Sequence, residues 1–86
     1  SKILGTTSRA ISRRIEIINI LNKNKSLVTA EIIENLQELE EYKYLKKKTH
    51  LTQIKSDVEY LKDIKLIYEL NGEYILGFKI KWNKIN

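Results

Sequence analysis

Few side chains in this 86-residue chain are equipped for bond-making chemistry. Cys is absent, and the single His50 cannot supply the three or four ligands of a zinc site. No glycine-rich phosphate loop occurs, and most acidic residues fall at spacings that mark solvated helix faces. The expectation is therefore a protein that is not an enzyme and that uses no cofactor and no metal. What remains is a set of hydroxyl, amide and cationic groups. Thr52, Gln53, Lys55 and Ser56 stand close together, Lys46, Lys47, Lys48 and His50 precede them, and Arg9, Arg13 and Arg14 lie near the start. Their chemistry is hydrogen bonding and ion pairing with an extended, anionic partner.

The bulk composition suits that partner. Sixteen Lys and Arg against eleven Asp and Glu give a net charge of +5, a mild excess that favours polyanions. A hydrophobic content of 42% spread through the chain supports one packed core, so residues 1–86 are read as a single domain. No apolar run approaches the ~20 residues that cross a bilayer, and no charged-then-apolar leader is seen. A cytoplasmic protein with no membrane partner is expected.

Positioning those groups falls to three helices and a hairpin. Ile11, Ile15, Ile18 and Leu21 recur at three-and-four spacing over about 8–22, widened by Ile17 and Ile20, and Thr6, Thr7 and Ser8 are good N-cap types. Leu27-Val28 is too short for a strand of its own but suits pairing at a sheet edge. Thr29 is then expected to cap a helix over about 30–42 that buries Ile32, Ile33, Leu36 and Leu39 and turns Glu31, Glu34, Glu38, Glu40 and Glu41 outward. Thr49 is the next expected cap, before a helix over about 50–64 with the stripe Leu51, Ile54, Val58 and Leu61. Two alternating runs over about 66–82 flank Asn71-Gly72, the dipeptide that best tolerates the two positive-φ positions of a type I′ turn.

With the stripe of the third helix inward and about 100° per residue, Thr52, Ser56, Glu59 and Asp63 point outward, flanked by Gln53, Lys55 and Tyr60. The N-terminal half of this face is neutral to basic and the C-terminal half acidic. The hairpin tip, Glu69 to Glu73, is acidic too, so it is expected to be structural or to touch something other than a polyanion. Lys79, Lys81 and Lys84 alternate on the last strand, and Trp82 is read as core or interface.

From Arg13 to Leu76 the chain resembles the N-terminal head of bacterial WYL-type and deoxyribose-repressor-type transcriptional regulators. Residues 14–21 resemble that family's first helix, and Val28-Thr29-Ala30-Glu31-Ile32-Ile33-Glu34-Asn35-Leu36 its T-x-x-E-L-A-x-x-L second helix, with Ile33 in place of Ala. Gln53-Ile54-Lys55-Ser56-Asp57-Val58-Glu59-Tyr60-Leu61 resembles its recognition-helix pattern T-I-x-R-D-L-x-x-L, with Gln53 in place of Thr and Ser56 in place of Arg. Residues 40–48 stand where the family has a tight turn. A second, weaker likeness is to winged helices that bind protein, such as the C-terminal module of cullins.

The resemblance implies an α+β winged helix-turn-helix fold, three helices plus a C-terminal two-stranded wing, that binds double-stranded DNA in transcription regulation. Thr52, Gln53, Lys55 and Ser56 are the expected base contacts, since such proteins read base edges with the start of the recognition helix. Arg9, Arg13, Arg14, Lys46, Lys47, Lys48 and His50 are the expected phosphate contacts. A homodimer, or a place within a larger protein, is expected because one small module binds weakly. The alternative is a protein-interaction module docking through the acidic second helix or the apolar hairpin.

Overall fold

The computed structural model describes residues 2–79. After a short 3-10 turn at Lys2–Leu4, the chain forms α1 (Ser8–Lys23), α2 (Thr29–Gln37), a second 3-10 turn (Glu40–Tyr42), α3 (Lys48–Asp63) and the strands β1 (Ile67–Leu70) and β2 (Glu73–Leu76). The architecture is α+β: three helices followed by an antiparallel hairpin. Among the described residues no helix is long and apolar enough to cross a membrane.

Local chemistry explains most boundaries. Thr7 caps α1, its hydroxyl accepting from the Ala10 N–H at 3.4 Å, and the Asn24 amide closes the other end by donating to the Ile20 carbonyl at 2.6 Å. α3 ends in a reciprocal pair of backbone bonds, Leu66 N–H to the Leu61 carbonyl and Lys65 N–H to that of Lys62, both at 3.0 Å. This is the Schellman arrangement, and it puts Lys65 at φ 66° where glycine is usual. Asn71 at φ 53° and Gly72 at φ 81° form the expected two-residue turn, with Leu70 opposite Glu73.

One core joins all elements. Ile17, Ile18, Ile20 and Leu21 of α1 meet Ile32, Ile33 and Leu36 of α2, Ile54, Val58 and Leu61 of α3, and Ile67, Tyr74 and Leu76 of the hairpin. Leu27 pairs at the sheet edge as expected: its N–H donates to the Tyr74 carbonyl at 3.1 Å, and the Tyr74 N–H returns a bond at 2.7 Å. Burial raises the pKa of the Tyr42 and Tyr74 phenols above the ordinary range, because the ionised form loses hydration.

Several expectations are corrected. The second helix stops at Gln37 rather than near 42, because Leu39 turns extended and the chain doubles back to bury Tyr42 and Leu45. Thr29 lies inside α2, not before it; Val28 is the cap residue, and the Glu31 carboxylate accepts from its N–H at 3.0 Å. Thr49 likewise lies within the first turn of α3, which starts at Lys48. Ile15 is 41% exposed, since the α1 stripe runs through Ile17 and Ile18 and leaves it at the margin. The second strand ends at Leu76, so Phe78 escapes the alternation and is exposed. The expectations for Lys81, Trp82 and Lys84 lie outside the described residues.

Candidate nucleic-acid interface

The first turns of α3 carry the side chains singled out from the sequence. Thr52, Gln53, Lys55 and Ser56 are all exposed, as the stripe Ile54, Val58 and Leu61 requires once it is turned to the core. The Thr52 hydroxyl donates to the Lys48 carbonyl one turn back at 2.9 Å, which leaves it free to accept but not to donate. Lys46, Lys47 and Lys48 are exposed as well. Lys47 is the cap residue of α3 and makes no side-chain cap bond. Among the described residues the helix therefore begins with uncapped N–H groups, the positive end of its dipole, near three ammonium groups.

Arg13 and Arg14 point elsewhere. Both donate to the Asp57 carboxylate, which is 1% exposed: Arg13 through Nε to Oδ2 at 2.6 Å and Nη2 to Oδ1 at 3.3 Å, Arg14 through Nε to Oδ1 at 3.0 Å. Their side chains keep only 12% and 13% of their exposure. Arg14 also donates from Nη1 to the Leu4 carbonyl at 2.8 Å, and its guanidinium carbon lies 3.8 Å from the centre of the Tyr60 ring. Tyr60 in turn donates to the Ile3 carbonyl at 2.7 Å. Gly5 makes this approach possible: at φ 121° any side chain is strained, and a Cβ would collide with the Arg14 guanidinium. The hydrogen bond to Asp57 raises the Arg13 pKa further above its ordinary value. These two arginines are thus internal ties between α1, α3 and the N-terminal turn, unlike the expected phosphate contacts.

His50 is also turned inward. Its ring meets that of Tyr44 edge to face at 5.1 Å, and its Nδ1 is buried without a hydrogen-bond partner among the described residues. Of the seven expected phosphate contacts, Arg9, Lys46, Lys47 and Lys48 remain on the surface. Arg9 lines an open cleft of about 450 Å³ with Ser8, Ser12, Glu41 and Tyr44, so a carboxylate shares that cleft.

The exposed acidic groups lie on α2, in the turn after it, on the second half of α3 and on the hairpin. Glu31, Glu34, Glu38, Glu40 and Glu41 are exposed on α2 and the turn after it. Lys62 bridges Glu59 and Glu69, both at 3.2 Å, and these bonds, that to Glu69 first, raise its pKa. The Glu73 carboxylate accepts from the Ser26 hydroxyl at 2.6 Å. Among the described residues no group of three potential metal ligands converges.

The sequence pattern assigns no role to Asp57, although a signal for one is present. It falls three residues after Ile54 and four before Leu61, on the inward stripe, where a carboxylate needs partners. Comparison with protein-family models, with curated proteins and with solved structures finds no match to this chain.

Proposed function

We propose that this domain is a winged helix-turn-helix module that binds double-stranded DNA, with α3 as the recognition helix. The observation that carries the reading is the separation of charge along α3. Along α3 the exposed first half presents Thr52, Gln53, Lys55 and Ser56 beside Lys46, Lys47 and Lys48, and the second half carries Glu59 and Asp63, while the other exposed acidic groups lie on α2, in the turn of Glu40 and Glu41 after it, and at the hairpin tip. Gln53 suits bidentate pairing with adenine, and the lysines suit phosphates. The acidic tip makes the hairpin a structural wing that does not enter a groove.

Fluorescence anisotropy titrations of labelled duplexes across salt test this. Replacing Lys46, Lys47 and Lys48 together by Ala should weaken binding to every sequence and reduce the salt slope by roughly one for each phosphate no longer neutralised. Gln53→Ala should cost about 1–3 kcal/mol on a cognate site and little elsewhere. Absence of binding to any duplex at about 50 mM salt, where electrostatic binding is strong, would end the DNA reading. A protein-interaction module would then be the better account, favoured by Tyr68 and Leu70, which are 52% and 62% exposed on the hairpin.

A further inference from the structure

Among the described residues the hairpin is covered on one edge and open on the other. β2 lies between Leu27, with which Tyr74 exchanges two backbone bonds, and β1, so β1 is the terminal strand among the described residues. In a two-residue hairpin the residues flanking the turn form a hydrogen-bonded pair, and such pairs then alternate along the ladder. Here they are Leu70 with Glu73 and Tyr68 with Ile75, and the bond from the Gly77 N–H to the Leu66 carbonyl at 2.9 Å continues the series. The residues between them, Ile67 and Glu69, therefore aim their N–H and C=O groups away from β2. No backbone bond among the described residues takes these four groups up.

Two of the usual protections of an edge strand, Lys and Pro, are missing from this short one. β1 reads Ile-Tyr-Glu-Leu, with neither Lys nor Pro, and its one charge, Glu69, is drawn back by Lys62. The side chains that β1 turns outward are apolar. Tyr68 and Leu70 are exposed beside half-buried Leu66 and Ile75, and the Tyr68 ring lies so close over Gly77 that a Cβ there would stand 2.6 Å from it.

We propose that β1 pairs antiparallel with β1 of a second copy of this chain, across a two-fold axis at Tyr68, to form a four-stranded sheet. The register follows from three constraints. Side chains alternate, so both cores lie on the same side of the joint sheet only if the axis passes through a residue and its own counterpart. Centring on Tyr68 sets Ile67 against the partner's Glu69 and the reverse, which engages these four groups of each copy in four N–H to O=C bonds. Centring on Glu69 instead opposes two like charges directly, which destabilises a sheet, and engages only the Glu69 groups there. On the outer face the Tyr68 register brings the two Tyr68 rings together and places Leu66 against the partner's Leu70. Both are non-hydrogen-bonded pairs, in which side chains approach most closely.

The inference does not depend on the DNA reading and is tested without nucleic acid. Sedimentation equilibrium of the whole chain should show monomer and dimer with a dissociation constant on the order of 10–100 μM, as befits a small interface. Hydrogen exchange should slow at the Ile67 and Glu69 amides as concentration rises, while the Tyr68 and Leu70 amides, already bonded within the hairpin, stay unchanged. Tyr68→Lys puts like charges at the axis and should weaken the dimer roughly tenfold or more, with the melting curve of the monomer kept because Tyr68 is exposed. Ile15→Lys, at an exposed apolar site elsewhere, should leave association as it is. A chain that stays monomeric to about 500 μM, where such an interface must populate, overturns the proposal. So does a dimer that ignores Tyr68→Lys, or one that leaves the Ile67 and Glu69 amides exchanging freely.

Discussion

Two basic clusters that look alike in the sequence have opposite fates in the fold. Arg13 and Arg14 turn inward onto Asp57, whereas Lys46, Lys47 and Lys48 stay in solvent. The difference follows from the side chains. A guanidinium is planar and weakly hydrated, and its fork can satisfy a carboxylate, a backbone carbonyl and an aromatic face together, as Arg14 does with Asp57, Leu4 and Tyr60. An ammonium is a strongly hydrated point charge, suited to a surface that meets a polyanion. Arg13 and Arg14 are architecture, and Lys46, Lys47 and Lys48 are exposed charge.

The largest expected effect breaks this contrast at its centre. Asp57→Ala leaves two nearly buried guanidinium groups without their carboxylate and should cost about 3–5 kcal/mol in chemical denaturation. Replacing any one of Lys46, Lys47 and Lys48 by Ala should stay within about 0.5 kcal/mol. Comparable midpoints for the two kinds of variant would show that the arginine cluster is not internal.

A smaller effect concerns the segment that carries the lysines. Buried Tyr42 anchors it, and burial raises the Tyr42 pKa. The unfolded chain ionises first, at about pH 10, so the stabilisation is complete below that pH and is lost as pH rises toward the folded pKa. Denaturation midpoints should therefore fall above about pH 10, and Tyr42→Phe should flatten part of that fall. An unchanged slope would mean that the phenol is no more buried than in the unfolded chain.

The smallest effect sharpens the comparison with a lysine that is neither architecture nor electrostatic surface. Lys65 is exposed and held at φ 66° by the end of α3. Lys65→Gly relieves that strain and should stabilise the fold by up to about 1 kcal/mol, read as a rise in melting temperature. A fall would show that the side chain has a role its geometry does not reveal.

These cases also show what the chain discloses before it folds. The hairpin turn was readable because Asn71-Gly72 answers a purely local demand on φ. The core positions of α2 and α3 were readable because periodicity is local as well. The ends of those helices were not, since Leu39, Tyr42 and Leu45 decide them by packing against distant residues. The exposed residues of α3 followed from its stripe. The inward turn of Arg13, Arg14 and His50 did not, because it depends on Asp57 and Tyr44, brought close only by the tertiary fold.

The seam between Leu27 and Tyr74 has a consequence for cooperativity. Two backbone bonds there and the neighbouring Ser26 to Glu73 bond close the same loop, and Ser26 and Glu73 are 47 residues apart in the chain. Closing a loop of that length costs about 3 kcal/mol of chain entropy, and it costs that once, however many contacts share the closure. The first of the three bonds to form bears the loss and the other two follow without it, so they gain or fail together. The hairpin is thereby fastened to the junction of α1 and α2, and it opens only when the loop between them opens as a whole.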